Sequence, residues 1–265
     1  MSDANIEVVT DGGWMTIWLN RPQSRNALSA AMISELADLL SRTADDASVR
    51  GITMRGRGSV FCAGGDLKGF GQDLSNDTSA RAAIESSSQS AGHLFHQVDQ
   101  MPQVVVMLVH GAAIAGGLGL MCAGDVVATT ADARFSLTET QLGIVPAQIA
   151  PLVTRRIGAA PARRIMLTGA QFDGTTAHSL GLCDFAVDDS NGLDAIEATV
   201  RRDVLRCAPG AIAATKALLR DSRHMPQSDI VEHAAQVFAE RLLSDEGREG
   251  IQSFLEKRKP GWSTP

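Results

Sequence analysis

Two glycine clusters and one glutamate are the residues whose types and spacing could carry chemistry. The first cluster is Cys62-Ala63-Gly64-Gly65-Asp66-Leu67 and the second is Ala113-Ile114-Ala115-Gly116-Gly117-Leu118. Each follows an apolar run that reads as a strand, Gly51–Arg55 and Gln103–Val109. A glycine-rich loop ahead of a helix offers backbone N–H groups to an anion. No Gly-Lys-Ser/Thr follows either cluster, and the second lacks the third glycine of a dinucleotide fingerprint, so both of those loops are excluded. Taken singly, each cluster reads as a tight turn. Taken together, two N–H donors from two loops can converge on one oxygen, which is an oxyanion hole. The chemistry that suits is an acyl carbonyl gaining negative charge, such as a thioester becoming an enolate. The helix starting near Gly116 adds the positive end of its dipole. One such donor is worth about 3–4 kcal/mol in the transition state.

The elements that must position these loops can be read along the chain. Ile6–Val9 and Trp14–Leu19 flank Asp11-Gly12-Gly13, a hairpin signal. Ser29 stands as a helix N-cap before the stripe Met32, Ile33, Leu36, Leu39 and Leu40. Residues 72 to 92 are mostly small and polar and read as a mobile surface segment running into a helix that ends before Pro102. Short strands are expected at Val126–Thr129, Arg134–Leu137 and Cys183–Val187, with helices at Pro151–Ile157, Ala160–Leu167 and about Ala177–Leu180. Beyond Asn191 the chain reads helical, with breaks at Pro209, Pro226 and Gly247. Strands alternating with helices imply an α/β core.

The chain has 265 residues, 44% hydrophobic and 20% charged, enough for one large α/β domain with an appendage. A net charge of −6 argues against a general nucleic-acid binder. Cys62, Cys122, Cys183 and Cys207 show no metal-type spacing and read as reduced thiols of a cytoplasmic protein. The N-terminus reads as free of a signal peptide, and no apolar run approaches membrane-spanning length. The absence of tyrosine excludes Tyr-Lys reductase chemistry. His93 and His96 are spaced for one helix face but lack a third ligand, so no metal is expected. His110 and Asp125 read as structural residues, and no GxSxG is present.

Five segments, in order, resemble the crotonase (enoyl-CoA hydratase/isomerase) superfamily. Asn20-Arg21-Pro22 with Asn26-Ala27-Leu28 is similar to the family's NRP…NAL opening, FCAGGDLK to its first oxyanion segment, and HGAAIAGGLGLMCAGD to its second. LTETQLGIVP resembles the catalytic-glutamate segment and GREGIQSFLEKRKPGW the C-terminal helix. The resemblance implies an α/β spiral of repeated ββα units over residues 1–194, then a helical trimerisation region over 195–265. It places the two oxyanion donors on Gly65 and Gly116 and the acid–base group on Glu139. Read from the residues alone, Glu139 is an ordinary acid at a helix N-terminus; the resemblance makes it catalytic. Ala63, Gly65, Asp66, Leu67 and Lys68 fall on the stretch that contacts pantetheine and adenine, and Arg25 and Ala27 on the CoA entrance. Phe254 and Lys257 match positions that close over the nucleotide, sometimes from a neighbouring subunit. Coenzyme A enters as part of the substrate and no separate cofactor is implied. The implied partners are an acyl-CoA thioester and further copies of the chain, as a homotrimer or dimer of trimers, with neither nucleic acid nor membrane.

Two departures from the family pattern stand out. The hydratases' second glutamate, just after the second cluster, is here Gly119. Glu139 then works alone, which suits either hydration or double-bond isomerisation. The stretch Pro146-Ala147-Gln148-Ile149-Ala150-Pro151 replaces a glycine-rich one, and Ile149 is expected to reshape the acyl pocket. Gln148 is placed to supply a polar contact to water or to a distal carboxylate, with Arg155 or Arg156 as further options. VPAQIAP resembles isohexenylglutaconyl-CoA hydratases of acyclic terpene degradation, and FCAGGDLK and ETQL resemble methylglutaconyl-CoA hydratases. These point to a 3-branched glutaconyl-CoA. The alternatives are a single-glutamate enoyl-CoA isomerase and, in another class, a non-catalytic acyl-CoA-binding relative.

Overall fold

The structure, a computed structural model, describes residues 4–66 and 78–263. Its centre is a six-stranded sheet in the order β1-β2-β3-β4-β6-β9. The strands are β1 (Ile6–Asp11), β2 (Trp14–Leu19), β3 (Gly51–Gly56), β4 (Val104–Val109), β6 (Val126–Thr130) and β9 (Phe185–Val187). The first pair is an antiparallel hairpin across Gly12-Gly13, and every later pairing is parallel. A second, three-stranded sheet joins β5 (Ala112–Ile114), β7 (Arg134–Ser136) and β8 (Gln171–Asp173). Each of β4 and β6 is thus followed by a short strand that turns into the other sheet, the repeated turn of the expected spiral. β5 falls inside a stretch read only as a glycine cluster, and β8 was not anticipated, because its Gln-Phe-Asp carries a single apolar residue and no pattern.

Helix α1 (Ala30–Ala44) starts where expected, with the Ser29 hydroxyl accepting from the Met32 N–H at 3.2 Å. It buries Met32, Leu36 and Leu40, while Ile33 and Leu39 are only partly covered. Helix α2 (Thr78–Gln100) packs beside it. The apolar run of β4 is continuous because both its faces are covered. Val105, Met107 and Val109 join the main core with α1 and α2, whereas Val106 and Leu108 join Trp14, Ala128, Leu193 and Val204 on the opposite face. That second layer comes from α7 (Ser190–Leu205), which follows α3 (Gly116–Cys122), α4 (Ala150–Ile157), α5 (Ala159–Thr168) and α6 (Gly174–Ser179) in the chain. The expected boundary at 194/195 falls within α7.

The last helices are α8 (Pro209–Asp221), α9 (Gln227–Leu242) and α10 (Asp245–Leu255). Pro209 opens α8 and Pro226 caps α9, as their fixed φ and missing N–H allow. The third break differs from expectation. It lies at Leu243-Ser244, and Gly247 is inside α10, its N–H donated to the Ser244 hydroxyl at 3.1 Å. Lys216 ties α8 to the core through Asp125 (2.5 Å) and the Gln103 carbonyl (2.7 Å). Asp125 also accepts from the Val105 N–H, so it is the structural junction expected of it. His110 likewise holds a loop, with a ring nitrogen 3.0 Å from the Gly58 carbonyl oxygen. Among the described residues no helix is long and apolar enough to cross a membrane, and no group of three His, Cys, Asp or Glu could hold a metal ion.

Candidate active site

The two glycine loops meet. Cys62 and Ala113 form a parallel bridge, with the Cys62 N–H donating to the Ala112 carbonyl (3.1 Å) and the Ile114 N–H to the Cys62 carbonyl (3.0 Å). A methyl group placed on Gly116 would lie 3.3 Å from the Gly65 nitrogen. Glycine at 116 therefore lets the two backbones approach, and the resulting donors are neighbours. Among the described residues neither the Gly65 nor the Gly116 N–H finds an acceptor, so both remain available. Ala115, immediately before, holds φ 48° and ψ −120°, a region unfavourable to a side chain that persists only where the surroundings enforce it. Here its N–H is fixed to the Ser136 carbonyl at 2.9 Å.

The opening segment is stitched to the first loop. The Ala63 N–H donates to the Arg25 carbonyl (2.9 Å) and the Leu28 N–H to the Gly64 carbonyl (2.8 Å). Arg25, Ala27, Ala63, Gly65 and Asp66 are thereby brought together. Arg21, not singled out in the sequence, pairs with Asp66 at 3.1 Å and donates to the Ala27 carbonyl at 2.7 Å. Asp66 is thus held by an ion pair, and its N–H is bonded to the Leu28 carbonyl. Leu67 and Lys68 lie outside the described residues.

Asn26 is the pin of this assembly. It is fully buried at φ 55°, accepts from the Arg21 N–H (2.9 Å), and donates to the carbonyls of Arg57 (2.8 Å) and Val60 (2.9 Å). Asparagine tolerates that left-handed backbone better than most residues. Asn26→Ala leaves those groups unpaired in the interior and is expected to cost about 3 kcal/mol, read as a lower midpoint in urea unfolding. A midpoint within experimental error of wild type would show that the loops are held by other contacts.

Glu139 lies on a segment tied to the second loop. From Ser136, bonded to Ala115, the chain reaches Glu139 in three residues, at the start of a short 3₁₀ turn, Glu139–Leu142. That turn is clamped from behind. Thr140 donates to the Met166 carbonyl (2.9 Å), and Ser136 and Gln141 to the Gly169 carbonyl (3.2 and 3.0 Å). Glu139 is 7% exposed, and its Oε2 is buried with no hydrogen-bond partner among the described residues. A buried polar atom left unpaired asks for an explanation, and a substrate or water is the ordinary one at a reactive centre.

Burial pushes the Glu139 carboxyl above its ordinary range, against a smaller opposing effect of its own backbone N–H. Between the ordinary and the raised value the folded chain keeps a proton that the unfolded chain has released. The stability this group contributes therefore falls as pH rises through that window. Glu139→Gln is expected to melt above wild type at about pH 7 and to match it at about pH 3, where both states are protonated. Calorimetry across that range checks it; parallel curves would mean that the carboxyl is not desolvated.

The position expected to lack a second carboxylate is filled by apolar groups. A methyl group on Gly119 would lie 2.8 Å from Ile149 Cγ1 and 3.2 Å from Phe95 Cε2. Gln148, beside Ile149, turns onto α2: its amide occupies the space that a side chain on Gly92 would need and donates to the Ser88 hydroxyl at 3.2 Å. Ser88, Gly92 and Phe95 share one face of α2 at i, i+4 and i+7. That spacing was the available signal for them, hidden in a polar, small-residue stretch. Arg155 pairs with Asp99 (2.7 Å), and Arg156 donates to the carbonyls of Leu182 (3.2 Å) and Gly124 (3.1 Å). Both arginines already hold partners within the protein. Phe254 is 80% exposed at the end of α10, and Lys257 follows at φ 54°. No hydrogen bond or ion pair among the described residues joins that end to the glycine loops.

Cys62, inside the first loop, is fully buried and its thiol is pushed up to about 12 by desolvation, so it is not a nucleophile.

Paired backbone donors, with a buried carboxylate that has no partner among the described residues three positions beyond the Ala115–Ser136 bond, suit acyl chemistry through an oxyanion. The model of the enoyl-CoA hydratase/isomerase family matches residues 10–265, and the chain belongs to that family of acyl-CoA enzymes, with its crotonase fold. It is similar to AtuE of Pseudomonas aeruginosa, with 44% identity, a TM-score of 0.92, and coverage of 98% of this chain and 100% of that one. It is 30% identical over 249 residues to the enoyl-CoA hydratase ACTT6 of Alternaria alternata, covering 94% of this chain and 80% of the relative. It is also 30% identical over 259 residues to a peroxisomal Δ(3,5)-Δ(2,4)-dienoyl-CoA isomerase of Arabidopsis thaliana, covering 95% and 93%.

Proposed function

We propose that the chain is an enoyl-CoA hydratase that adds water across the 2,3 double bond of a 3-branched glutaconyl-CoA, such as isohexenylglutaconyl-CoA. The observation that carries the reading is a buried Glu139 oxygen, unpartnered among the described residues, on the segment that the Ala115–Ser136 hydrogen bond ties to the second glycine loop. The thioester oxygen accepts from the Gly65 and Gly116 N–H groups. Ionised Glu139 takes a proton from water as its oxygen bonds to Cβ, and the pair of electrons from the double bond passes to the thioester as an enolate. Glu139 then returns that proton to Cα, so atoms and charge balance. The raised carboxyl fits a group that must both take and give a proton. Support for the branched acid is the resemblance of the VPAQIAP segment.

A second reading, an enoyl-CoA isomerase in which Glu139 moves a proton between Cα and Cγ, is favoured by the apolar surroundings of Gly119 and by the likeness to the Arabidopsis isomerase. We place the enzyme in the cytoplasm as a homotrimer or dimer of trimers, built through residues 195–265. Val231, Phe238, Leu243 and Leu255 are exposed there, and a neighbour's Phe254 and Lys257 would close over the nucleotide. Mass spectrometry of 2-enoyl-, 3-enoyl- and 3-branched glutaconyl-CoA esters tests the activity. Gain of one water on the branched acid supports the reading. Unchanged mass with a moved double bond means an isomerase, and no conversion of any ester overturns both in favour of acyl-CoA binding alone.

A further inference from the structure

We propose that Gln148 and Ser88 form a two-donor subsite that takes a carboxylate at the distal end of the acyl group. The inference rests on the branched-acid reading and identifies the residues that would select the acid. Gln148 Nε2 donates one proton to the Ser88 hydroxyl at 3.2 Å. A primary amide carries two N–H donors and a hydroxyl carries one O–H, so the pair keeps one amide N–H and the Ser88 O–H in hand. No acceptor for the Ser88 O–H is present among the described residues, although a mid-helix serine commonly returns it to the carbonyl four residues back. Ser90, on the same helix, does so to Ser86 at 2.9 Å. Two donors side by side with one internal bond between them fit a ligand that accepts twice, as a carboxylate does.

The location agrees. Gln148 is adjacent to Ile149, which covers Gly119, three residues along α3 from the Gly116 donor. Phe95 touches the same spot from α2, and Ser88 lies two turns away on the same helix face. Contacts thus link apolar Phe95 and Ile149, at Gly119, to polar Gln148 and Ser88. Gly92 holds the arrangement open, since any side chain there would displace the Gln148 amide. The cations nearest in sequence, Arg155 and Arg156, are committed to Asp99 and to backbone carbonyls. Gln148 and Ser88 offer an anion neutral donors.

The test compares kcat/KM for a 3-branched glutaconyl-CoA with that for the 3-methylcrotonyl-CoA that lacks the carboxylate, in wild type, Ser88→Ala, Gln148→Leu and Gln148→Glu. Wild type is expected to prefer the acid. Each of the first two variants should lower that preference by roughly 10- to 100-fold, the range for a hydrogen bond to a charged partner. Gln148→Glu, which keeps size and shape but repels the ligand, should reverse it. A wild type that does not prefer the acid overturns the substrate reading itself, whatever the variants do. A wild type that prefers it while all three variants keep the preference overturns the subsite alone. Because each enzyme is its own reference between two esters, partial misfolding does not mimic the result.

Discussion

Glu139→Gln is expected to lower kcat by roughly 10²- to 10⁴-fold, the span typical of a positioned acid–base group. Glutamine matches the carboxylate in size and keeps the 3₁₀ turn that Thr140 and Gln141 anchor. It can neither take a proton from water nor return one to Cα. The change removes a carboxylate whose Oε2 lies buried without a partner among the described residues. Binding should persist, because the thioester oxygen is held by the Gly65 and Gly116 backbones, which the substitution does not touch. Calorimetric titration with a saturated acyl-CoA should give a Kd within a few-fold of wild type, about 1 kcal/mol or less. A variant turning over within tenfold of wild type would show that Glu139 is not the acid–base group. A variant that loses binding as well would show that the side chain serves the shape of the pocket. The accompanying rise in melting temperature near neutral pH separates these outcomes from simple unfolding.

Gly119→Glu is expected to damage the protein rather than restore a two-carboxylate site. The Cβ alone would press on Ile149 and Phe95, and overpacking of this kind costs about 1–3 kcal/mol. A carboxylate then enters an apolar corner, with an effective desolvation penalty of several further kcal/mol in the ionised form. The expected result is a much lower urea midpoint and little activity. Adding Ile149→Gly to the same chain should recover a large part of the midpoint, because it empties the space the new side chain needs. Single substitutions that add independently, with no recovery in the double variant, would refute the steric account. The two positions form a coupled pair: glycine at 119 and isoleucine at 149 fill one volume between them.

Much of the scaffold was legible in the residues. The Gly12-Gly13 hairpin, the Ser29 cap and the β4 run follow from local rules of turn chemistry, capping and hydrophobic pattern. The fully apolar β4 was readable because a strand covered on both faces loses its alternation. Two of the short strands were not. β5 and β8 span three residues each and exist only because β7 pairs with both. Gly247 reads as a breaker, yet the cap that ends the loop is Ser244, and the glycine serves the close packing of the turn.

What the sequence by itself determined is the chemistry available. It has two glycine runs able to expose N–H groups, one glutamate in a family-like segment, and a glycine where a second acid would stand. Those are properties of residue type and order along one chain. Only the tertiary structure decided what those groups meet. Gly65 and Gly116 are 51 positions apart in sequence and become neighbours through the Cys62–Ala113 bridge. Asp66 turned out to be paired with Arg21, the two arginines of α4 to be occupied, and Gln148 to meet Ser88, 60 residues earlier. Pairings of this kind depend on which helix faces and strand registers end up opposed. Burial then turns an ordinary glutamate into one whose proton is held above the usual carboxylate range, since desolvation is set by the packed surroundings rather than by the neighbouring residues in the chain.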